Sequence, residues 1–174
     1  QDDNIIASIV HAINPSDDDC LIEIGPGLAA LTEPLLKNIS HMHVVELDRD
    51  LVARLQQHFA PEQLTIHSID ALKFDFLSIP AEGKTRKVVG NLPYNISSSL
   101  LFHLVEFAPQ IDVQVFMLQK EVVERMVADV QEGVHIAHRQ LTLVFGTHRG
   151  LVTHHRLRRQ SPARRHGRPA ADAT

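Results

Sequence analysis

The chain has 174 residues, 44% of them hydrophobic, enough for one ordinary core and not evidently for two. Its single cysteine, Cys20, excludes an intrachain disulfide and a cysteine-rich zinc site, and short, interrupted apolar runs behind an acidic start (QDDNIIASIV) predict no membrane span and no secretory signal, so a cytoplasmic protein is expected. The net charge of -4 is uneven: residues 1–134 carry nine Lys and Arg against twenty Asp and Glu, residues 135–174 eight Arg and no Lys against one Asp, and an acidic body argues against phosphate contacts by that part.

Ile5, Ile6, Ile9, Val10 and Ile13 recur at helical spacing ahead of Pro15, which predicts an opening amphipathic helix. Ser16 to Asp19 reads as a solvated polar turn. CLIEIG predicts a strand ending in a tight glycine loop, and Leu31, Leu35 and Leu36 continue as a helix. HVVELD then reads as a second strand, Asp50 to Phe59 as a helix, LTIHSID as a third strand and KVVGNL as a fourth. Ser97 to Phe107 predicts a helix that Pro109 stops, VQVFMLQ a fifth strand, and Lys120 to Ala128 a further helix. Strands that are apolar throughout and alternate with helices predict a parallel sheet covered on both faces, a doubly wound α/β domain. This core is expected to span residues 1–133. Residues 134–174 offer one strand, LTLVF, and then an end rich in Arg, His, Pro and Ala that lacks apolar periodicity and is expected to be largely disordered. Eight arginines and six histidines without a lysine also fit translation of a GC-rich gene in a shifted frame, which the nucleotide sequence would settle.

In an open parallel sheet, ligands bind beyond the carboxyl ends of the strands. Four such ends carry telling residues: Glu23-Ile24-Gly25-Pro26-Gly27-Leu28-Ala29 after the first, Glu46 after the second, Asp70 after the third and Asn91-Leu92-Pro93-Tyr94 after the fourth. The pattern Gly25-x-Gly27-x-x-Ala30 with Glu46 about twenty residues on suits a dinucleotide as well as S-adenosylmethionine, because either ligand offers a ribose diol to a carboxylate. Asp70 shifts the balance toward the second, being placed to accept from an adenine amino group.

The stretch NLPY resembles the (D/N/S)PPY-type motif of amino-methylating methyltransferases, and as NLPYNIS it resembles the KsgA-type ribosomal RNA adenine dimethyltransferases. The resemblance runs from residue 1 to about 128 through EIGPGLAALT, VVELDRDL, DAL, NLPYNISSSLLFHL and FMLQKEVVERMVA. It implies a Rossmann-like class I methyltransferase in which Gly25, Gly27, Glu46, Leu47, Asp70, Ala71 and Asn91 bind S-adenosyl-L-methionine. It also implies conversion of two adjacent adenosines near the 3′ end of 16S rRNA to N6,N6-dimethyladenine, within a pre-30S small ribosomal subunit. The residue types suit that chemistry. An exocyclic adenine nitrogen is a weak nucleophile, and acceptors at its N–H groups, the Asn91 side-chain oxygen and the Leu92 carbonyl, localise its lone pair. Pro93 fixes the turn and Tyr94 offers a ring face to a flipped-out base. Related erythromycin-resistance methylases commonly carry isoleucine where Leu92 stands, which favours the KsgA-type branch.

Against that family pattern, a basic N-terminal arm with an FGQNFL-like motif is missing, and the residues after Ala128 match neither the expected hairpin and proline-rich loop nor the small RNA-gripping domain. A truncated catalytic domain is therefore expected, with much of the RNA-binding surface outside it. Phe74 and Phe76 read as packing residues, and His41-Met42-His43 and His154-His155 lack the partners of a metal site, so no metal is expected. A monomer is expected. Two other readings stay open: a noncatalytic RNA-binding or ribosome-assembly factor of the same fold, and an NAD-dependent oxidoreductase, which leaves Asn91 to Tyr94 unexplained.

Overall fold

The computed structural model describes residues 3–119, 121, 140–146 and 152–158, the last two stretches through their backbone. The elements in chain order are α1 (Asp3–Ile13), β1 (Asp19–Ile24), α2 (Thr32–Leu36), β2 (Met42–Glu46), α3 (Arg49–His58), β3 (Leu64–Ser68), β4 (Thr85–Asn91), α4 (Tyr94–Phe107), β5 (Val113–Met117), β6 (Gln140–Gly146) and β7 (Val152–Arg158). The strands form one sheet in the order β3-β2-β1-β4-β5-β6-β7, parallel through β6 and antiparallel only where β7 joins β6. The chain thus winds outward from β1 to β3, returns to place β4 on the other side of β1, and winds outward again. The order reverses between β1 and β4, which opens a crevice at their carboxyl ends.

Side-chain alternation along the strands supplies two cores. On one face Leu21, Val44, Val89 and Val115 meet Ile9 and Ile13 of α1, Leu35 of α2 and Leu55 of α3. On the other face Ile22, Ile24, Val88 and Phe116 meet Leu100 and Leu104 of α4, together with Phe74 and Phe76 from the β3–β4 connection. Both phenylalanines are buried packing residues, as their sequence context predicts.

Three local features differ from the sequence reading. Helix α4 starts at Tyr94 rather than Ser97, because Pro93 (φ -66, ψ 148) occupies the cap position and its carbonyl accepts the N–H groups of Ile96 and Ser97. The acid run before β1 is not simply solvated: Asp17 accepts from the backbone and hydroxyl of Ser40, while Asp19 is buried and paired with Lys87. A second late strand, β7, follows the expected LTLVF strand and extends the same sheet beyond residue 133, although VTHHRLR shows no clean alternation. The helix expected over Lys120–Ala128 lies outside the described residues apart from Glu121, as does the end of the chain beyond Arg158. Among the described residues no helix is long and apolar enough to cross a membrane.

Candidate functional site

The crevice between β1 and β4 is where the strand ends converge. A cleft of about 290 Å³ there is lined by Ile6 and Ile9 of α1, Glu23, Gly25, Pro26, Gly27, Leu28, Ala30 and Leu31 of β1 and its loop, Asn91 of β4 and Met117 of β5. Strand alternation places Glu23, Glu46 and Asn91 on the sheet face that carries α1 and α2, because Leu21, Val44 and Val89, two residues earlier on the same strands, lie in that core.

The β1 loop is held open by backbone conformation. Gly25 has φ +63 and donates its N–H to the Val45 carbonyl at 3.0 Å, and an added Cβ would meet nothing within 4 Å, so a side chain is disfavoured there by the left-handed backbone rather than by crowding. Gly27 shares this left-handed geometry at φ +57. Ala29, also left-handed at φ 68, closes the turn by donating to the Pro26 carbonyl at 2.9 Å.

The two predicted carboxylates each use one oxygen to shape their own loop. Glu46 Oε1 accepts the Asp48 N–H at 2.9 Å, and Asp70 Oδ1 accepts the Leu72 N–H at 3.0 Å. Among the described residues the second oxygen of each accepts no hydrogen bond from the protein. The Glu46 carbonyl also accepts the Ile69 N–H at 3.2 Å, which ties the β2 and β3 ends together. Leu47 and Tyr94 are 63% and 57% exposed, and Leu28 and Ile69 are exposed at the same strand ends, so four of the six exposed large apolar side chains among the described residues gather at this end of the sheet. Ala71 is half-buried against the α4-side core.

Asn91 is the last residue of β4 and solvent-exposed. The Leu92 side chain is buried and its N–H donates to the Met117 carbonyl at 3.0 Å, which fixes the loop to β5. Among the described residues neither the Asn91 side chain nor the Leu92 carbonyl bonds to another protein group, so both acceptors stay available. Behind them, a Cβ on Gly90 would come within 2.6 Å of the Ile24 carbonyl, so only glycine lets β4 lie this close to β1 at the crevice.

Sequence reasoning names Glu23 at the end of the first strand without giving it a role, and does not connect it with Thr32. Glu23 is 2% exposed, and its Oε2 accepts from Thr32 Oγ1 at 2.7 Å. An acid amid the apolar run CLIEIG was the available signal. Burial raises the Glu23 carboxyl most, the Thr32 hydroxyl opposes this and nearby Glu46 adds to it, leaving the group pushed up to about 7. The predicted residues Gly25, Gly27, Glu46, Leu47, Asp70, Ala71 and Asn91 to Tyr94 thus belong to the β1, β2, β3 and β4 ends. Among the described residues no group of three or more His, Cys, Asp or Glu could hold a metal ion.

Comparison with known proteins gives the same picture from sequence. The chain is 61% identical over 135 residues to the ribosomal RNA small subunit methyltransferase A of Janthinobacterium sp. (strain Marseille), covering 77% of this chain and 53% of that protein. It is also 61% identical over 129 residues to the protein of that name from Herminiimonas arsenicoxydans, covering 74% and 51%. The chain thus spans about half the length of the curated relatives it matches. Among solved structures, a dimethyladenosine transferase from Plasmodium falciparum matches with a TM-score of 0.60 and 29% identity, over 73% of this chain and 45% of that one. The 23S rRNA methyltransferase ErmE matches in fold with a TM-score of 0.57 and 21% identity, over 84% and 47%. The Rossmann-like sheet is thus that of class I methyltransferases. The model of the ribosomal RNA adenine dimethylase family matches residues 1–147, beyond the 128 or so that the motifs alone connect, and the chain belongs to that family.

Proposed function

We propose that the chain is the catalytic part of an S-adenosylmethionine-dependent rRNA adenine N6,N6-dimethyltransferase, acting on two adjacent adenosines near the 3′ end of 16S rRNA in a cytoplasmic pre-30S particle. The observation that carries this reading is the 61% identity over 135 residues to a small subunit methyltransferase, beside a family match whose residues 1–147 span every residue that lines the cleft.

The residues fit the cofactor. Among the described residues the glycine loop leaves open space above Gly25 and Gly27, two carboxylates keep an oxygen free, and apolar side chains stand exposed where an adenine would cover them. Glu46 would accept from the ribose hydroxyls, Asp70 from the adenine amino group, and Leu47 and Ala71 would flank the ring. Bound S-adenosylmethionine supplies an electrophilic methyl group on a sulfonium. The protein's own part is positional. Asn91 and the Leu92 carbonyl hold the target amine by its N–H groups, Pro93 sets their direction at the start of α4, and Tyr94 stacks against the base.

Calorimetric titration with S-adenosylmethionine, with NAD as comparator, tests the cofactor. Transfer of labelled methyl groups to small subunits that lack the modification tests the substrate. Selective binding and transfer are expected; a folded chain that binds NAD and not S-adenosylmethionine would overturn the reading.

A further inference from the structure

Glu23 lines the cleft, yet the function above gives it no task. It stands at the carboxyl end of β1, two residues before Gly25, buried and hydrogen-bonded to Thr32 at 2.7 Å. Among the described residues no lysine, arginine or histidine pairs with it. The surroundings offer no compensation. Among the described residues, helix α2 presents Thr32, its own carboxylate Glu33 being turned to His58 at 2.9 Å, and α1 presents Ile6 and Ile9. Strands β4 and β5 contribute Asn91 and Met117, and β2 contributes Glu46, a second negative charge. A carboxylate in that position is disfavoured twice, by lost hydration and by a like charge, and it therefore holds its proton up to about pH 7. A positive ligand entering the cleft reverses the balance.

We propose that Glu23 makes ligand capture proton-linked: entry of a cationic amino-acid sulfonium releases the Glu23 carboxyl proton to solvent, and the resulting carboxylate is the counter-charge that selects this ligand over an uncharged thioether nucleoside. The inference rests on the S-adenosylmethionine reading above and adds to it a basis for discrimination. Only an O–H bond breaks, and the proton passes to water. Glu46 and Asp70 accept hydrogen bonds from groups that both ligands share, so they leave this discrimination to Glu23.

The test is calorimetric titration of the whole chain with S-adenosylmethionine and with 5′-methylthioadenosine at pH 5.5, 6.5 and 7.0, each in two buffers of different ionisation enthalpy. S-adenosylmethionine should bind roughly tenfold more weakly at pH 5.5 than at pH 7.0 and release about 0.7 proton at pH 6.5, while the thioether nucleoside shows neither effect. Glu23→Gln, which preserves shape and the contact with Thr32, should abolish both the pH dependence and the proton release. Binding of S-adenosylmethionine by the native chain without proton release overturns the inference and leaves the functional reading standing. Proton linkage that persists in folded Glu23→Gln overturns it as well, by placing the proton elsewhere. If the folded native chain binds no S-adenosylmethionine at any pH, the functional reading falls and this inference with it. Should Glu23→Gln fail to fold, the native chain's two-buffer comparison of the two ligands decides.

Discussion

Lys87 Nζ and Asp19 Oδ2 lie 2.8 Å apart in the protein interior, and their contact anchors α1 to the sheet. Lys87 also donates to the carbonyls of Ile13 and Asn14, at 3.1 and 2.9 Å, so one cation satisfies a strand carboxylate and the last carbonyls of a helix. Because α1 carries Ile6 and Ile9 to the cleft, an ion pair at the amino end of the sheet sets a wall of the site at its carboxyl end. Lys87→Met should leave Asp19 buried and uncompensated and reduce stability by about 3–5 kcal/mol. Urea unfolding measures this, and adding Asp19→Asn should recover part of the loss.

Gly90 offers a second stability test with a functional readout. A Cβ placed 2.6 Å from the Ile24 carbonyl must push β4 from β1, and those strands lead directly into Asn91 and Gly25. Gly90→Ala is expected to lower stability by about 1–3 kcal/mol and to weaken cofactor binding too. Unchanged binding in a destabilised variant would show that the crevice tolerates the displacement.

Glu46 and Asn91 should divide the work of the site. Removing a charged hydrogen-bond partner costs about 1.5–3 kcal/mol, so Glu46→Ala should raise the cofactor dissociation constant on the order of tenfold or more. Part of that loss would come from the loop, whose Asp48 N–H is capped by the same carboxylate. Glu46→Gln, which can keep the cap, separates the two contributions. Asn91→Ala should leave cofactor binding near normal and mainly slow transfer at saturating cofactor; equal binding loss in both variants contradicts this division.

Histidines on the outer strands should make the fold acid-sensitive. His43 Nδ1 is 3.3 Å from His67 Nε2 across β2 and β3, and burial, then the neighbouring His41 and His67, lowers His43 to about 4. Burial lowers His67 likewise. The unfolded chain therefore binds more protons below pH 6.5, so the contribution of these groups is complete above that pH and is lost as pH falls toward 4. Thermal unfolding across that range should show a falling midpoint, with a shallower fall in His43→Gln.

Glu23 has the opposite sign. Its folded carboxyl is raised from 4.5 to about 7, so its contribution is complete below pH 4.5 and is lost as pH rises through 7. Glu23→Gln should therefore stabilise the ligand-free chain at pH 8, by on the order of 2–3 kcal/mol, and have little effect near pH 4.5. Denaturant titrations at the two pH values would show whether this cleft is maintained at a cost in stability, as binding sites often are.

Much of the architecture was legible because it rests on local chemistry. Ile5 to Ile13 announce α1 by a period near 3.6, CLIEI and KVVGNL read as buried strands, and the glycine loop, Glu46, Asp70 and NLPY each stand at or within a few residues of a strand's end. Those neighbours along the chain suffice to place four candidate positions at one end of a parallel sheet. Tertiary structure decided which of them meet. The switch between β1 and β4 brings Gly25 to Asn91, the strand register sets Gly90 against Ile24, and the fold joins Lys87 to Asp19 and to the end of α1. Burial of Glu23 was likewise hidden in its own segment, because the same acid could end an exposed strand. Its character depends on α1, α2 and β2 closing around it, and the cost of holding a charge there comes from the excluded water and the facing Glu46, which only packing between distant segments creates.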